Sequence, residues 1–224
     1  MVSMLSGNAL KLIAAIAMFL DHMGMLLFPG NMALRIVGRL AFPIYAYMIA
    51  EGCKYTRSRL RYFLSLFLLG AACQAVYFIV DGSLYFSILI TFSLSILTTF
   101  ALDRFKKLPS ARNGLVLAAA LAGVYLLNRV FTIDYGFLGC MVPVLVSLPH
   151  GTKYDTKPLS LALLALGLTL LAAESGYPQQ YALAALVPLA LYSGKRGKWR
   201  MKYFFYIFYP AHLVFLQALA WILA

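Results

Sequence analysis

Negative charge is scarce in this sequence. Seven Asp and Glu stand against 19 Lys and Arg in 224 residues, and charged side chains of both signs make up only 12% of the chain. A soluble domain carries about 25%, so that class is excluded. Cysteine is scarce too: Cys53, Cys73 and Cys140 lie in or beside apolar stretches. They show no CxxC or Cys/His spacing, which excludes a disulfide framework or a zinc module and leaves them as small buried hydrophobes. There is no Gly-rich phosphate loop and no soluble tail. A basic nucleic-acid binder needs polar surface to carry its cations, and this chain has little to offer.

What is present is hydrocarbon. The chain is 63% hydrophobic and 15% aromatic, with a mean hydropathy of +0.84. The fold class expected is all-α, a polytopic transmembrane helix bundle in one integral membrane domain over residues 1–224. Apolar runs between breakers predict about nine spans, near 8–28, 34–53, 60–80, 84–102, 113–128, 135–149, 159–175, 179–193 and 203–223. The breaks fall at Pro29-Gly30-Asn31, Asp81-Gly82-Ser83, Pro109-Ser110, Pro149-His150-Gly151 and Gly176-Tyr177-Pro178. The short runs late in the chain leave room for a re-entrant segment. The first run contains Asp21 and His22 and lacks a small-residue cleavage site, so it reads as a retained span.

The cations cluster. Loops 54–61, 103–112, 150–158 and 194–202 hold 15 of the 19 Lys and Arg, with Lys11, Arg35, Arg39 and Arg129 left outside them. These are alternate connections in a nine-span count. The positive-inside rule then puts the basic loops in the cytoplasm, the N-terminus inside and the C-terminus outside.

An ionisable side chain within a membrane helix costs at least about 2.5 kcal/mol, so each one needs a partner or a task. Asp21 and His22 lie in the first span. Arg35 and Arg39, four apart, share one helix face near the start of the second. A hairpin through Pro29 to Asn31 brings them toward Asp21. At least one arginine is expected to pair with Asp21; a sharper reading gives the other to an anion or an oxyanion. Glu51, at the other end of that span, is expected to pair with Lys54 or a nearby arginine. His212 falls in the middle of the last span, two residues after Pro210, which frees a backbone carbonyl. His150, between Pro149 and Gly151, reads as a solvated loop residue, and Asp81, Asp103 and Asp155 as loop residues. These polar groups can equally serve as helix glue or as a proton relay.

The order of these residues resembles a known family. The segments Asp21-His22-Met23-Gly24, Leu34 through Tyr47 with Arg35-Ile36-Val37-Gly38-Arg39, Ala50-Glu51-Gly52, Asp134-Tyr135-Gly136, Tyr192 through Gly197 and Phe205 through Leu213 are similar to the TraX family of bacterial membrane proteins. The resemblance covers nearly the whole chain. Ser193 stands where asparagine is expected, and Leu108 to Val130 is only generically apolar. The resemblance implies an acyltransferase, since a member of the family acetylates the amino terminus of a conjugative pilin subunit at the inner membrane. It implies acetyl-CoA as co-substrate, an unknown acceptor (protein N-terminus, sugar or lipid) and motif residues Asp21, His22, Arg35, Arg39, Glu51 and His212.

Chemistry agrees with that expectation. Acyl transfer needs a base, for which His212 and His22 are candidates, and positive charge for the tetrahedral oxyanion, which Arg35 or Arg39 can supply. The phosphates of coenzyme A need a cationic mouth; Lys54, Arg57, Lys195, Arg196 and Lys198, with Glu51 beside them, are the candidates. No metal and no nucleic acid are expected. The competing expectations are a small proton-coupled transporter and an assembly factor without catalysis.

Overall fold

The computed structural model describes residues 4–198 and 201–223. Arg200 of the last basic loop lies outside the described residues, as do the side chains of Asp81 and Lys202. The described chain is all-helical: α1 (Gly7–Leu26), α2 (Met32–Gly38), α3 (Ala41–Tyr55), α4 (Arg59–Asp81), α5 (Ile88–Lys107), α6 (Ala111–Val130), α7 (Gly136–Ser147), α8 (Lys157–Ser175), a 3₁₀ stretch (Gln179–Ala185), α9 (Leu186–Ala190) and α10 (Lys202–Leu223). Seven segments are long and apolar enough to cross a membrane, with α2 and α3 counted as one. Large apolar side chains such as Leu68, Ile79, Leu115, Val130, Ile207 and Ile222 stand exposed on them, as lipid contact requires and water would not favour. The chain is a multi-pass membrane protein.

The count of nine spans is corrected in two places. The run 179–193 is a 3₁₀ stretch followed by a helix of only five residues. Pro188 inside it has no N–H to donate, and Pro178 precedes it, so no continuous helix can run through the segment. The run 135–149 yields the 12-residue α7, about 18 Å long at 1.5 Å per residue and short of the roughly 30 Å hydrocarbon core. Elsewhere the expected limits hold to within a few residues, except that α5 begins at Ile88 and runs on to Lys107, so Asp103 is helical.

The chain divides into two compact units, Met1–Met48 with Leu168–Ala224, and Ile49–Gly167. In the first unit, α1 and α2–α3 form an antiparallel hairpin. Asn31 N–H closes its turn on the Phe28 carbonyl at 2.8 Å. The break between α2 and α3 at Arg39-Leu40 follows from Pro43, whose ring crowds the carbonyl four residues back and cannot bond to it. The hairpin closes tightly because position 38 is glycine: a Cβ there would fall on the Asp21 side chain. Ala14, Ala15 and Ala17 are buried along α1, and small residues let membrane helices approach closely.

The start of α1 is capped by two devices. Ser6 Oγ accepts from Ala9 N–H at 3.2 Å. The Gly7 and Asn8 N–H groups donate to the Lys195 and Arg196 carbonyls at 2.8 and 3.0 Å, which satisfies donors that have no partner within the helix. The basic loop is thereby fastened to the beginning of α1. Lys11 Nζ lies over the Phe205 ring at 6.0 Å, and His22 meets His212 farther on. Both residue numbers rise together, so α1 and α10 run in the same direction.

In the second unit, α5 is the central helix, packed against α4, α6 and α7. Its buried Thr91, Ser93, Ser95 and Thr98 donate to backbone carbonyls, with Ser95 reaching Cys140 on α7 at 2.8 Å. The three basic loops of this unit meet at one end. Lys54 pairs with Asp155 at 2.8 Å and Arg59 with Asp103 at 3.6 Å. Lys106 donates to the Ser147 and His150 carbonyls at 2.8 and 2.9 Å. At the opposite end the 82–87 and 131–135 connections pair through Phe86 and Asp134.

Candidate functional site

Five residues expected to carry chemistry come together in the first unit. Asp21 sits on α1 facing α2, which presents Arg35 and, at its C-terminal boundary, Arg39. Both arginines reach the same carboxylate: Arg35 Nη1 lies 2.9 Å from Oδ2 and Arg39 Nη2 lies 2.6 Å from Oδ1. The expectation that one arginine would be left over is corrected, because one carboxylate has two oxygens and each takes a guanidinium. Arg35 also donates to the Asp21 carbonyl at 3.2 Å. Arg39 Nε donates to the Arg35 carbonyl at 3.3 Å, and its Nη1 to Gln179 Oε1 at 3.2 Å. The Arg39 side chain is 11% exposed. The three ionised groups together carry one surplus positive charge, held by hydrogen bonds at a fixed place.

His22, the next residue on α1, points toward α10. Its Nδ1 is 2.9 Å from His212 Nε2. His212, 4% exposed, places its own Nδ1 2.8 Å from the Phe208 carbonyl. That carbonyl can only accept, so His212 Nδ1 carries the proton and, in the neutral ring, its Nε2 is an acceptor. His22 Nδ1 must then be the donor of the shared bond. His22 also bonds to the Met18 carbonyl, which draws on the same kind of N–H; with its one proton on Nδ1, neutral His22 has its lone pair on Nε2, the arrangement a general base requires. The second histidine fixes the tautomer of the first, and the Phe208 carbonyl fixes the second. Stacking of His212 on Phe208, with ring centroids 4.9 Å apart and planes 8° from parallel, holds the ring in place. Among the described residues no three of His, Cys, Asp and Glu gather as a metal-holding group.

The residues expected to receive coenzyme A divide between the units. Lys195, Arg196 and Lys198 are exposed beside the first turn of α1. Arg57 is exposed in the second unit. Lys54 makes its ion pair with Asp155 at 2.8 Å, so the expected pairing of Glu51 with Lys54 or a nearby arginine is reduced, at Lys54, to attraction without a direct ion pair. Glu51 is buried, 3.9 Å from the His150 ring and within range of the Lys54 and Asp155 charges.

His150 is itself buried at 7% exposure, not solvated, because Lys106 draws the end of α7 and the following turn inward by their carbonyls. Burial, reinforced by the nearby Lys54 charge, pushes the His150 pKa down to about 4. It is neutral at pH 7, so its contact with Glu51 is not an ion pair there. Burial raises the affinity of Asp155 for a proton, but its bonds from Lys54 and the Gly151 N–H outweigh that and hold its carboxyl below the usual range.

Gln179 was missed in the sequence because it sits at the head of an apolar run. The only signal there was an amide pair, Gln179-Gln180, directly after Pro178.

A bundle of membrane helices that encloses a histidine pair and a carboxylate shared by two arginines defines a polytopic membrane protein with a built polar site. The sequence profile described as TraX protein matches residues 6–220; the chain belongs to the TraX family. It is similar to the probable fimbrial assembly protein FimC, serogroup H1, of Dichelobacter nodosus, with 28% identity over 237 aligned positions that cover 94% of each chain. No solved structure matches it.

Proposed function

We propose that the chain is an acyltransferase of the bacterial cytoplasmic membrane that moves an acetyl group from cytoplasmic acetyl-CoA to an amine or hydroxyl acceptor. The observation that carries the reading is the His22–His212 contact at 2.9 Å, with its tautomer set by Phe208. His22 Nε2 takes the proton of the acceptor's N–H or O–H as that nitrogen or oxygen attacks the thioester carbonyl carbon. The new C–N or C–O bond forms, the C–S bond breaks, and the departing thiolate takes the proton from His22 to leave as free coenzyme A, which returns the imidazole to its neutral form. Positive charge held beside Asp21 offsets the oxyanion that forms between the two steps.

The basic loop suits the other end of the co-substrate. From Gly7, where Lys195 is fastened, to His22 is about 22 Å along α1 at 1.5 Å per residue, and an extended pantetheine arm is of that order. Phosphates by Lys195, Arg196 and Lys198 would leave the thioester near the histidines. The basic loops then face the cytoplasm, where acyl-CoA is made. The fimbrial name of the relative supports a protein amino terminus of a pilus or fimbrial subunit as the acceptor.

That same name favours one other reading, an assembly factor without catalysis. Thiol release from acetyl-CoA by membranes containing the chain separates the two. Turnover by the wild type that disappears in His22→Ala supports the transferase. Equal release by wild type, His22→Ala and membranes lacking the chain rejects it.

A further inference from the structure

Gln179 opens the 3₁₀ stretch and is 4% exposed. Its side-chain orientation is decided by its neighbour. Arg39 Nη1 can only donate, so the amide oxygen faces it at 3.2 Å and the NH₂ group points the other way. That nitrogen is fully buried and has no hydrogen-bond acceptor. Buried amide donors almost always find a partner, and an orphan in a native structure calls for an explanation. Here the orphan is one guanidinium away from Asp21 and is fixed by the same arginine that Asp21 holds.

From this we infer that Gln179 Nε2–H is a substrate-binding donor that donates to the acyl carbonyl oxygen, a bond that strengthens as the oxygen becomes an oxyanion. The inference rests on the acyl-transfer reading and adds to it the group that faces the oxygen. The site's arginines are already engaged by Asp21 and backbone carbonyls, so they supply charge, whereas Gln179 supplies an open N–H. An amide aligned in advance costs no reorganisation when charge develops, and loss of one such donor typically lowers turnover by about 10²–10³-fold.

The test is Gln179→Glu, with acetyl-CoA turnover by membranes containing the full chain as readout. A glutamate keeps the oxygen that accepts from Arg39 and removes the donor. A donor role predicts kcat lowered by about 100-fold, with KM for acetyl-CoA changed by less than about threefold. If Gln179 only holds Arg39, the glutamate retains wild-type kcat, and the inference is overturned. Gln179→Met serves where the glutamate variant does not accumulate; it too lacks the donor, and unaltered kcat in it has the same meaning. Absence of turnover in the wild type rejects the acyl-transfer reading together with this inference, whereas active wild type with active variants rejects the inference alone.

Discussion

Two clusters of ionisable residues lie in this protein, one in each unit, and they use the same residue types differently. In the first, Asp21, Arg35, Arg39 and Gln179 form one chain of side-chain bonds and His22 with His212 forms another; the first ends on an unpartnered N–H of Gln179 and the second on the Nε2 lone pair of a neutral His22. In the second, Lys54, Asp155, Arg59, Asp103, Lys106 and His150 bring three basic connections together. Lys106 there donates to the Ser147, Leu148 and His150 carbonyls at the end of a short helix, where helix carbonyls run out of partners within the helix; the Ser147 carbonyl also accepts from the His150 N–H. The first cluster keeps polar atoms available to a ligand, whereas the second consumes them in holding loops. Ionisable residues in a membrane protein therefore separate by what their last hydrogen bond ends on.

The sharpest way to break the comparison is at the two imidazoles. His22→Ala is expected to lower thiol release by about 10³-fold, the range of a lost general base. His150→Ala should leave it within about twofold of wild type. Equal losses in both would erase the distinction between the clusters.

Stability should divide in the same way. Asp21→Asn strands two guanidiniums that share its carboxylate, and removing one partner from a buried ion pair costs about 3–5 kcal/mol. Lys54→Met breaks a pair whose side chains are 26% and 23% exposed; less than about 1 kcal/mol is expected. Unfolding of both variants in mixed micelles measures the difference, and similar values for the two would contradict the burial argument.

A third contrast is with pH. His150 has a folded pKa of about 4 against a usual 6.5. Between those values the unfolded chain takes up a proton that the folded chain refuses. The His150 contribution is therefore fully present above pH 6.5 and is lost progressively as pH falls to 4, by on the order of 3 kcal/mol. Melting temperature followed from pH 7 to 4 should fall in the wild type, and His150→Gln should remove most of that slope. A further test is at Gly38, where a methyl group must displace Asp21. Gly38→Ala is expected to cost about 1–3 kcal/mol and to lower turnover with it.

Much of the first cluster could be read from the sequence, for physical reasons. The four-residue spacing of Arg35 and Arg39 and the Pro29-Gly30-Asn31 turn are local, and local geometry brings both to Asp21. The pairing of His22 with His212 spans 190 positions and no periodicity reports it; the family resemblance named both residues but not their contact. Hydropathy placed seven long segments well. It could not distinguish 179–193 from a span, because an average over apolar residues is blind to Pro188 and hides the amide pair Gln179-Gln180. His150 looked solvated because turn residues surround it, while the lysine that pulls its carbonyl inward comes from another helix.

The first unit is built from the two ends of the chain, and that imposes an order on its manufacture. Asp21, Arg35 and Arg39 leave the ribosome within 18 residues of one another. The α1–α2 hairpin can therefore enter the bilayer with its carboxylate already neutralised. His22 must wait for His212 through 190 further residues, roughly 10–40 s at ordinary synthesis rates. Until α10 has inserted, the hairpin is a stable but chemically unfinished half, so any product cut short before residue 212 has the ion pair and no histidine relay.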